Sequence, residues 1–254
     1  MGKIIALMNE KGGVGKSSIT YSCAWALAEH KKKVLIVDMD GQMASITYLS
    51  GVQRDDDTLT MSDVLLRNKS IDKAIMRVSD DLELYIVPST SAMADAMVTA
   101  KISRMRKVFD DIRDEYDYIF FDVNPSPDWK HALTLSIADY VGIIMLPDVL
   151  SLEANMGIVD SIIEVKSNSN KDLQVLGIIM NQFNKQTNLA KAVEDKASEM
   201  AKHLNTRVLQ TKVRKAVAMG ESAKAHVGIT KYAGKSDVAG DIIQLVNEIE
   251  KIVE

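Results

Sequence analysis

The chain has 254 residues, of which 46% are hydrophobic and 26% charged, and its formal net charge is −4. This balance suits one globular α/β unit over 1–254, excludes a disordered or low-complexity chain, and argues against a generally basic nucleic-acid binder. A lone cysteine, Cys23, excludes an internal disulfide and a CxxC metal site and fits a reducing cytoplasm; the four histidines share no ligand spacing, and no apolar stretch approaches the length of a membrane span.

The first element is a short apolar run, Ile4 to Met8, read as a strand and too brief for a signal peptide. It runs into Asn9-Glu10-Lys11-Gly12-Gly13-Val14-Gly15-Lys16-Ser17-Ser18, and a helix-competent stretch follows to Glu29. Strand, glycine-rich turn and helix form the context of a phosphate-binding loop. The general pattern G-x-x-x-x-G-K-[ST] fails at its first position, which is Glu10, and an extra lysine stands at Lys11. Gly12, Gly13 and Gly15 let backbone N–H groups close round an anion, and the helix adds the positive end of its dipole. Lys16 is expected to meet β/γ-phosphates and Ser17 to offer a hydroxyl to Mg²⁺.

Lys33 to Asp38 reads as a second strand, continuously apolar as in a parallel sheet covered on both faces. It ends in Asp38-Met39-Asp40, carboxylates placed where open α/β sheets bind ligands, or else caps of a helix starting near Gln42–Ser45. Asp55 to Asp57 reads as a solvated loop. Short helices are expected over Ser62–Asn68 and Ile71–Val78, a strand over Leu82–Val87, and a long helix from Ser91 to Glu115 whose methionines fill the core. On that helix Lys101, Arg104, Arg106 and Lys107 form a basic cluster, read as a solvated face.

Asp117 to Asp122 is a strand that delivers an acid beside the loop, the Walker B arrangement, with Asp122 expected in a Mg²⁺ shell. Further strands are expected over Tyr140–Leu146 and Leu173–Met180, the latter ending in Asn181. Helices are expected over Ser151–Val165 and Thr187–Leu204, and a short strand over Arg207–Leu209. Residues 202–235 carry eight Lys and Arg against one acid, Glu221, a local electrostatic footprint on an otherwise acidic chain. The last stretch, Asp237 to Glu254, is an amphipathic helix with an acidic polar face. An anchor for anionic lipid needs the opposite charge, so the helix is read as a packing element. The alternation of strands and helices predicts an α/β fold, a mostly parallel twisted sheet with helices on both faces.

The loop K-G-G-x-G-K-S-S, with Asp40 and Asp122 at the ends of apolar strands, resembles the deviant Walker A P-loop ATPases of the ParA/MinD superfamily, and the likeness runs along nearly the whole chain. It implies a Mg²⁺-dependent ATPase whose nucleotide is held by Lys11, Gly12, Gly13, Val14, Gly15, Lys16, Ser17 and Ser18, with Asn181 on the adenine. It further implies that Lys11 crosses a dimer interface to the partner's nucleotide and that Asp40 positions the attacking water. Gln42 matches the family's D-x-D-P-Q segment, whereas Gly41 and Asn124 stand where its members usually carry a proline and a D-x-P-P residue. Within the family the ParA/Soj type implies an ATP-dependent homodimer in a cytoplasmic, nucleoid-associated role. Such a dimer binds duplex DNA non-specifically, here through Lys212, Arg214, Lys215, Lys224, Lys231 and Lys235, and is stimulated by a ParB-like partner. The alternatives are a MinD-like membrane-associated positioning ATPase, which the acidic terminal helix disfavours, and a family member positioning a non-DNA cargo. A cluster-carrying electron-transfer relative would need paired cysteines, and Cys23 reads as core.

Overall fold

The computed structural model describes residues 1–40, 45–93, 95–96, 101–123, 129–184 and 188–254, the side chains of Trp129, Lys130 and Asn188 excepted. The expectations for Gly41, Gln42 and Asn124 lie outside the described residues.

Seven strands form a sheet: β1 (Lys3–Met8), β2 (Val34–Asp38), β3 (Met76–Arg77), β4 (Leu84–Val87), β5 (Tyr118–Asp122), β6 (Tyr140–Met145) and β7 (Gln174–Met180). Their order is β3-β4-β2-β5-β1-β6-β7, and every pairing is parallel except that of the edge strand β3 with β4. The continuous apolar runs expected of a sheet covered on both faces are what form its centre, since β2 and β5 are buried at every position. Their pleat divides them between two cores. Ile4, Ala6, Met8, Ile119 and Phe121 face one side, and Ile5, Leu7, Tyr118 and Phe120 the other.

The first core is covered by α3 (Met61–Leu66), α4 (Ile102–Asp110), α5 (Trp129–Leu135), α7 (Met156–Asn168) and α8 (Asn188–His203). The second lies under α1 (Lys16–Glu29), α2 (Ser45–Ser50), α10 (Ile229–Tyr232) and α11 (Asp237–Val253). Of two further helices, α6 (Val149–Ala154) packs Leu152 against the first core and α9 (Val217–Lys224) packs Ala218, Met219 and Ala223 against the second. The layers are those of a P-loop NTPase fold.

Three expected helices differ. The continuous helix over 91–115 is not formed, because α4 is entered through Lys101 in extended backbone and ends at Asp110. Ile71–Val78 supplies only a 3₁₀ turn, Ile71–Lys73, since Met76 and Arg77 hydrogen-bond instead to the edge of β4. The helix expected from Ser151 breaks at Asn155 into α6 and α7. Of the short strand at Arg207–Leu209, only a bridge between Val208 and Ile178 is made.

The terminal helix packs as its pattern implied. Val238, Ile242, Leu245, Val246 and Ile249 of the expected apolar face are buried in the second core, chiefly against α1, while its last member, Ile252, is only partly buried and Val253 is buried in its place. Leu245→Ala should therefore lower unfolding free energy by about 2–5 kcal/mol in urea denaturation. A change within about 0.5 kcal/mol would mean that the helix merely rests on the surface.

Candidate nucleotide site

The parallel register puts Asp38 of β2 level with Asp122 of β5, and Asp122 level with Leu7 of β1. The loop after β1 and both strand-end acids thus open on one edge of the sheet, the place where such sheets bind ligands. In the loop Gly13 and Gly15 have φ of +77° and +83°, the left-handed region that glycine enters freely. A methyl group at Gly15 would stand 2.6 Å from Asn181 Nδ2, while at Gly12 and Gly13 it would meet nothing within 4 Å. Gly15 is the N-cap of α1 and has no side chain to cap it, so the first-turn N–H groups face the cleft as an anion-binding terminus would. Lys11 to Ser18, Asp40, Ser45, Tyr48 and Leu49 line a cleft of about 570 Å³.

Within it Lys16 Nζ donates to Asp122 Oδ1 at 2.5 Å, and Ser17 Oγ donates to Asp122 Oδ2 at 2.6 Å. Lys16 is 7% exposed and Asp122 fully buried. Asp38, equally buried, accepts from Thr47 Oγ1 (2.5 Å), from Thr47 N (3.2 Å) and from the Asp40 amide (2.9 Å). Burial, and then the charge of Asp122, push its carboxyl up to about 7. Asp38 thus holds both the Asp40 backbone and the start of the next helix, as the cap reading expects. Asp40 is 4% exposed and lines the same cleft.

Lys11 sits apart from this cluster. Its amide donates to Asn9 Oδ1 at 2.5 Å, and its ammonium donates to both oxygens of Asp148, each at 3.0 Å. Asp148 is also the N-cap of α6, accepting from Ser151 N at 2.7 Å. Asn9 Nδ2 reaches Ile144 O and Asn155 Oδ1, so Asn155, the residue that breaks the expected helix, buttresses the loop. Glu10, at the position where the general pattern has glycine, lies against Gly157 of α7 and 4.0 Å from His131 Nδ1. Burial raises its carboxyl above the usual range. Asn181 Nδ2 donates to Val14 O at 2.7 Å, which puts this residue against the loop backbone.

The basic segment is partly spent within the chain. Arg214 Nε and Nη2 hold Asp241 and Arg214 Nη1 holds Asp237, while Lys212 pairs with Glu194. Lys215, Lys224, Lys231 and Lys235 are exposed.

Asp148, Asn9, Asn155 and Thr47 went unpredicted. Asp148 carries a cap signature, an acid three residues before Ser151, yet nothing local names Lys11 as its partner.

The family described as "AAA domain" matches residues 2–175. Along 254 aligned residues the chain is 27% identical to the sporulation initiation inhibitor protein Soj of Bacillus subtilis, with 98% of each chain covered. Its fold matches that of Cyanothece McdA with a TM-score of 0.86 at 15% identity, covering 98% of this chain and 99% of the other. It also matches the septum site-determining protein MinD of Pyrococcus horikoshii, solved with Mg-ADP, with a TM-score of 0.80 at 23% identity, covering 100% and 98%. Among the described residues no helix is long and apolar enough to cross a membrane. With that family match spanning well over half its length, the chain belongs to the AAA-domain family, and along its length it is similar to Soj.

Proposed function

We propose that the chain is an ATP-switched positioning ATPase that hydrolyses ATP as a homodimer and, while ATP-loaded, holds a cargo or a surface. The observation that carries this reading is the divergent fate of the two loop lysines. Lys16 is drawn inward with Ser17 onto Asp122, and Lys11 is drawn outward onto Asp148. Lys16 suits the β- and γ-phosphates of the chain's own nucleotide, and Lys11, at the rim, suits the nucleotide of a partner copy. The glycine cradle, free of Cβ contacts at Gly12 and Gly13, fits a triphosphate beside Val14 and Ser18.

The hard oxygen donors of Ser17 and Asp122 fit Mg²⁺. When bound, the ion would neutralise charge between the phosphates. Asp40, buried at the cleft wall, would orient the attacking water, and Asn181 would meet the base from its place beside Val14. Charge neutralisation by Lys16 and by the partner's copy of Lys11 would then supply the main catalytic lever.

Lys16→Ala should abolish measurable ATP binding. Lys11→Ala should leave ATP affinity within about threefold and cut steady-state hydrolysis by about 10³-fold, the scale of a charge-stabilising group supplied in trans. Normal hydrolysis by Lys11→Ala would sink the two-subunit reading. Asp148→Ala, by freeing Lys11, should shift the ATP-dependent monomer–dimer equilibrium toward dimer in sedimentation, by no more than about fivefold, because an ion pair one-third exposed to solvent is worth about 1 kcal/mol or less.

The cargo reading is supported by the relatives, whose names range from sporulation initiation to septum-site determination. A narrower second reading is non-specific DNA binding on a nucleoid, with a ParB-like stimulating partner. It is favoured by the exposed Lys215, Lys224, Lys231 and Lys235 and weakened by the internal pairing of Lys212 and Arg214. Four phosphate contacts per chain predict a slope of log K against log salt of about −3.6 per protomer. Binding of the ATP form that is flat in salt, or absent at low salt, leaves the non-DNA cargo reading in place.

A further inference from the structure

The two helices that leave the nucleotide cleft, α1 and α2, meet again at one turn far along the chain, residues 226–228. His226 Nδ1 donates to Tyr48 O at 2.9 Å; the acceptor is a carbonyl, so this ring nitrogen carries the hydrogen. The His226 and Tyr48 rings pack edge to face at 5.2 Å. From α1, Tyr21 Oη donates to His226 O at 3.1 Å. A Cβ built on Gly228 would lie 2.2 Å from Trp25 Cγ, so this backbone is pressed on the indole. Gly51, just beyond α2, has φ of +70°, and a Cβ there would lie 2.7 Å from His226 Cβ.

His226 itself has φ of +57°. A histidine held in the left-handed region is strained, and such strain persists where surrounding contacts over-determine it. The turn joins α9 to α10, so Lys224 stands just before it and Lys231 just after. The same short helix α2 is also tied to the cleft, because Thr47, next to Tyr48, holds Asp38 by two hydrogen bonds while Tyr48 and Leu49 line the cavity.

We infer that His226 is a positioning residue through which occupancy of the nucleotide cleft sets the arrangement of the lysine-bearing α9–α10 segment, a surface suited to polyanionic phosphate backbones. A ligand that draws Lys16 and Ser17 off Asp122 and sets its own cation there changes the charge beside Asp38, the equally buried acid level with Asp122 on the neighbouring strand. The Thr47–Asp38 bonds pass that change into α2, and the Tyr48–His226 contact passes it to the turn. Two sites are then biased by one packed element, which is the physical requirement for coupling. The inference rests on the cleft binding ATP, and it stands whether or not the polyanion is DNA.

The test uses the full chain carrying Trp129→Phe, so that Trp25 is the sole indole and reports the packing of Gly228. His226→Gly is the informative variant, since glycine accepts φ of +57° without strain and removes only the ring. ATP affinity is measured by calorimetry, the ATP-induced change in Trp25 emission by fluorescence, and duplex DNA affinity at low salt with and without ATP. ATP should change Trp25 emission in the parent. His226→Gly should cut that change at least fivefold while ATP affinity stays within twofold, and should collapse any ATP-dependent gain in DNA affinity. His226→Asn, which tolerates the same backbone and keeps a side-chain N–H, should restore at least half of the emission change.

An undiminished emission change in His226→Gly overturns the inference, as does a parent that binds ATP with silent Trp25. A parent that binds no ATP overturns the nucleotide reading as well. DNA binding absent in both states, with the emission change intact in the parent and lost in His226→Gly, removes only the DNA reading and supports the coupling.

Discussion

An ammonium group placed inside a protein must find a counter-charge, and in this molecule that requirement falls on Lys16. Unpaired, either member of the Lys16–Asp122 pair would carry a desolvation penalty of several kcal/mol. Paired, with Ser17 on the second carboxylate oxygen, they bind the start of α1 to the end of β5 and shape the glycine loop between them. The same pair explains the selectivity that such a cleft needs. Only a ligand that offers Lys16 an equally strong set of anionic oxygens, and Asp122 a new cation or donor, can open it without leaving a stranded charge. A nucleotide with its divalent ion meets both conditions, and an uncharged metabolite meets neither.

The two lysines of one loop are held at different energies. Lys16 is almost wholly enclosed, whereas Lys11 and Asp148 are each about one-third exposed. Solvent screening leaves the outer pair worth little, while breaking the inner one costs about 3–5 kcal/mol. The outer lysine is therefore the one that ordinary thermal and binding energies can redeploy. Asn9 and Asn155 keep the backbone beneath it fixed, so that the side chain swings without the loop.

How much of this could be read in the sequence depended on range. The central strands β1, β2, β5 and β6 announce themselves as uninterrupted apolar runs, and the loop as a string of contiguous residues. Those signals are local and the structure preserves them. Of the two readings of Asp38, the structure displays the tie to the next helix, through Thr47, and adds a bond to the Asp40 amide. The unread features depend on partners far apart: Lys11 with Asp148, Tyr48 with His226, Lys212 with Glu194 and Arg214 with Asp241. A run of basic residues looks like a free surface until the acids folded against it are known. The helix over 91–115 was overextended because its apolar spacing carries no mark of the extended backbone at Lys101.

The strand order has a consequence for the way the molecule comes into being. β1 carries the glycine loop, yet its neighbours are β5 and β6, which lie more than a hundred residues later, and β2 likewise waits for β4 and β5. As the chain leaves the ribosome, the first fifty residues have no strand to pair with. At a synthesis rate of roughly 5–20 residues per second, several seconds pass before Asp122 arrives. During that interval Lys16 has no buried partner, and α1, which the folded protein buries on nearly every side, has no sheet to cover it. Non-local parallel pairing of this kind is slow and leaves apolar surface exposed in the meantime. The newly made chain is thus vulnerable to aggregation in a segment, α1, that the finished protein largely buries.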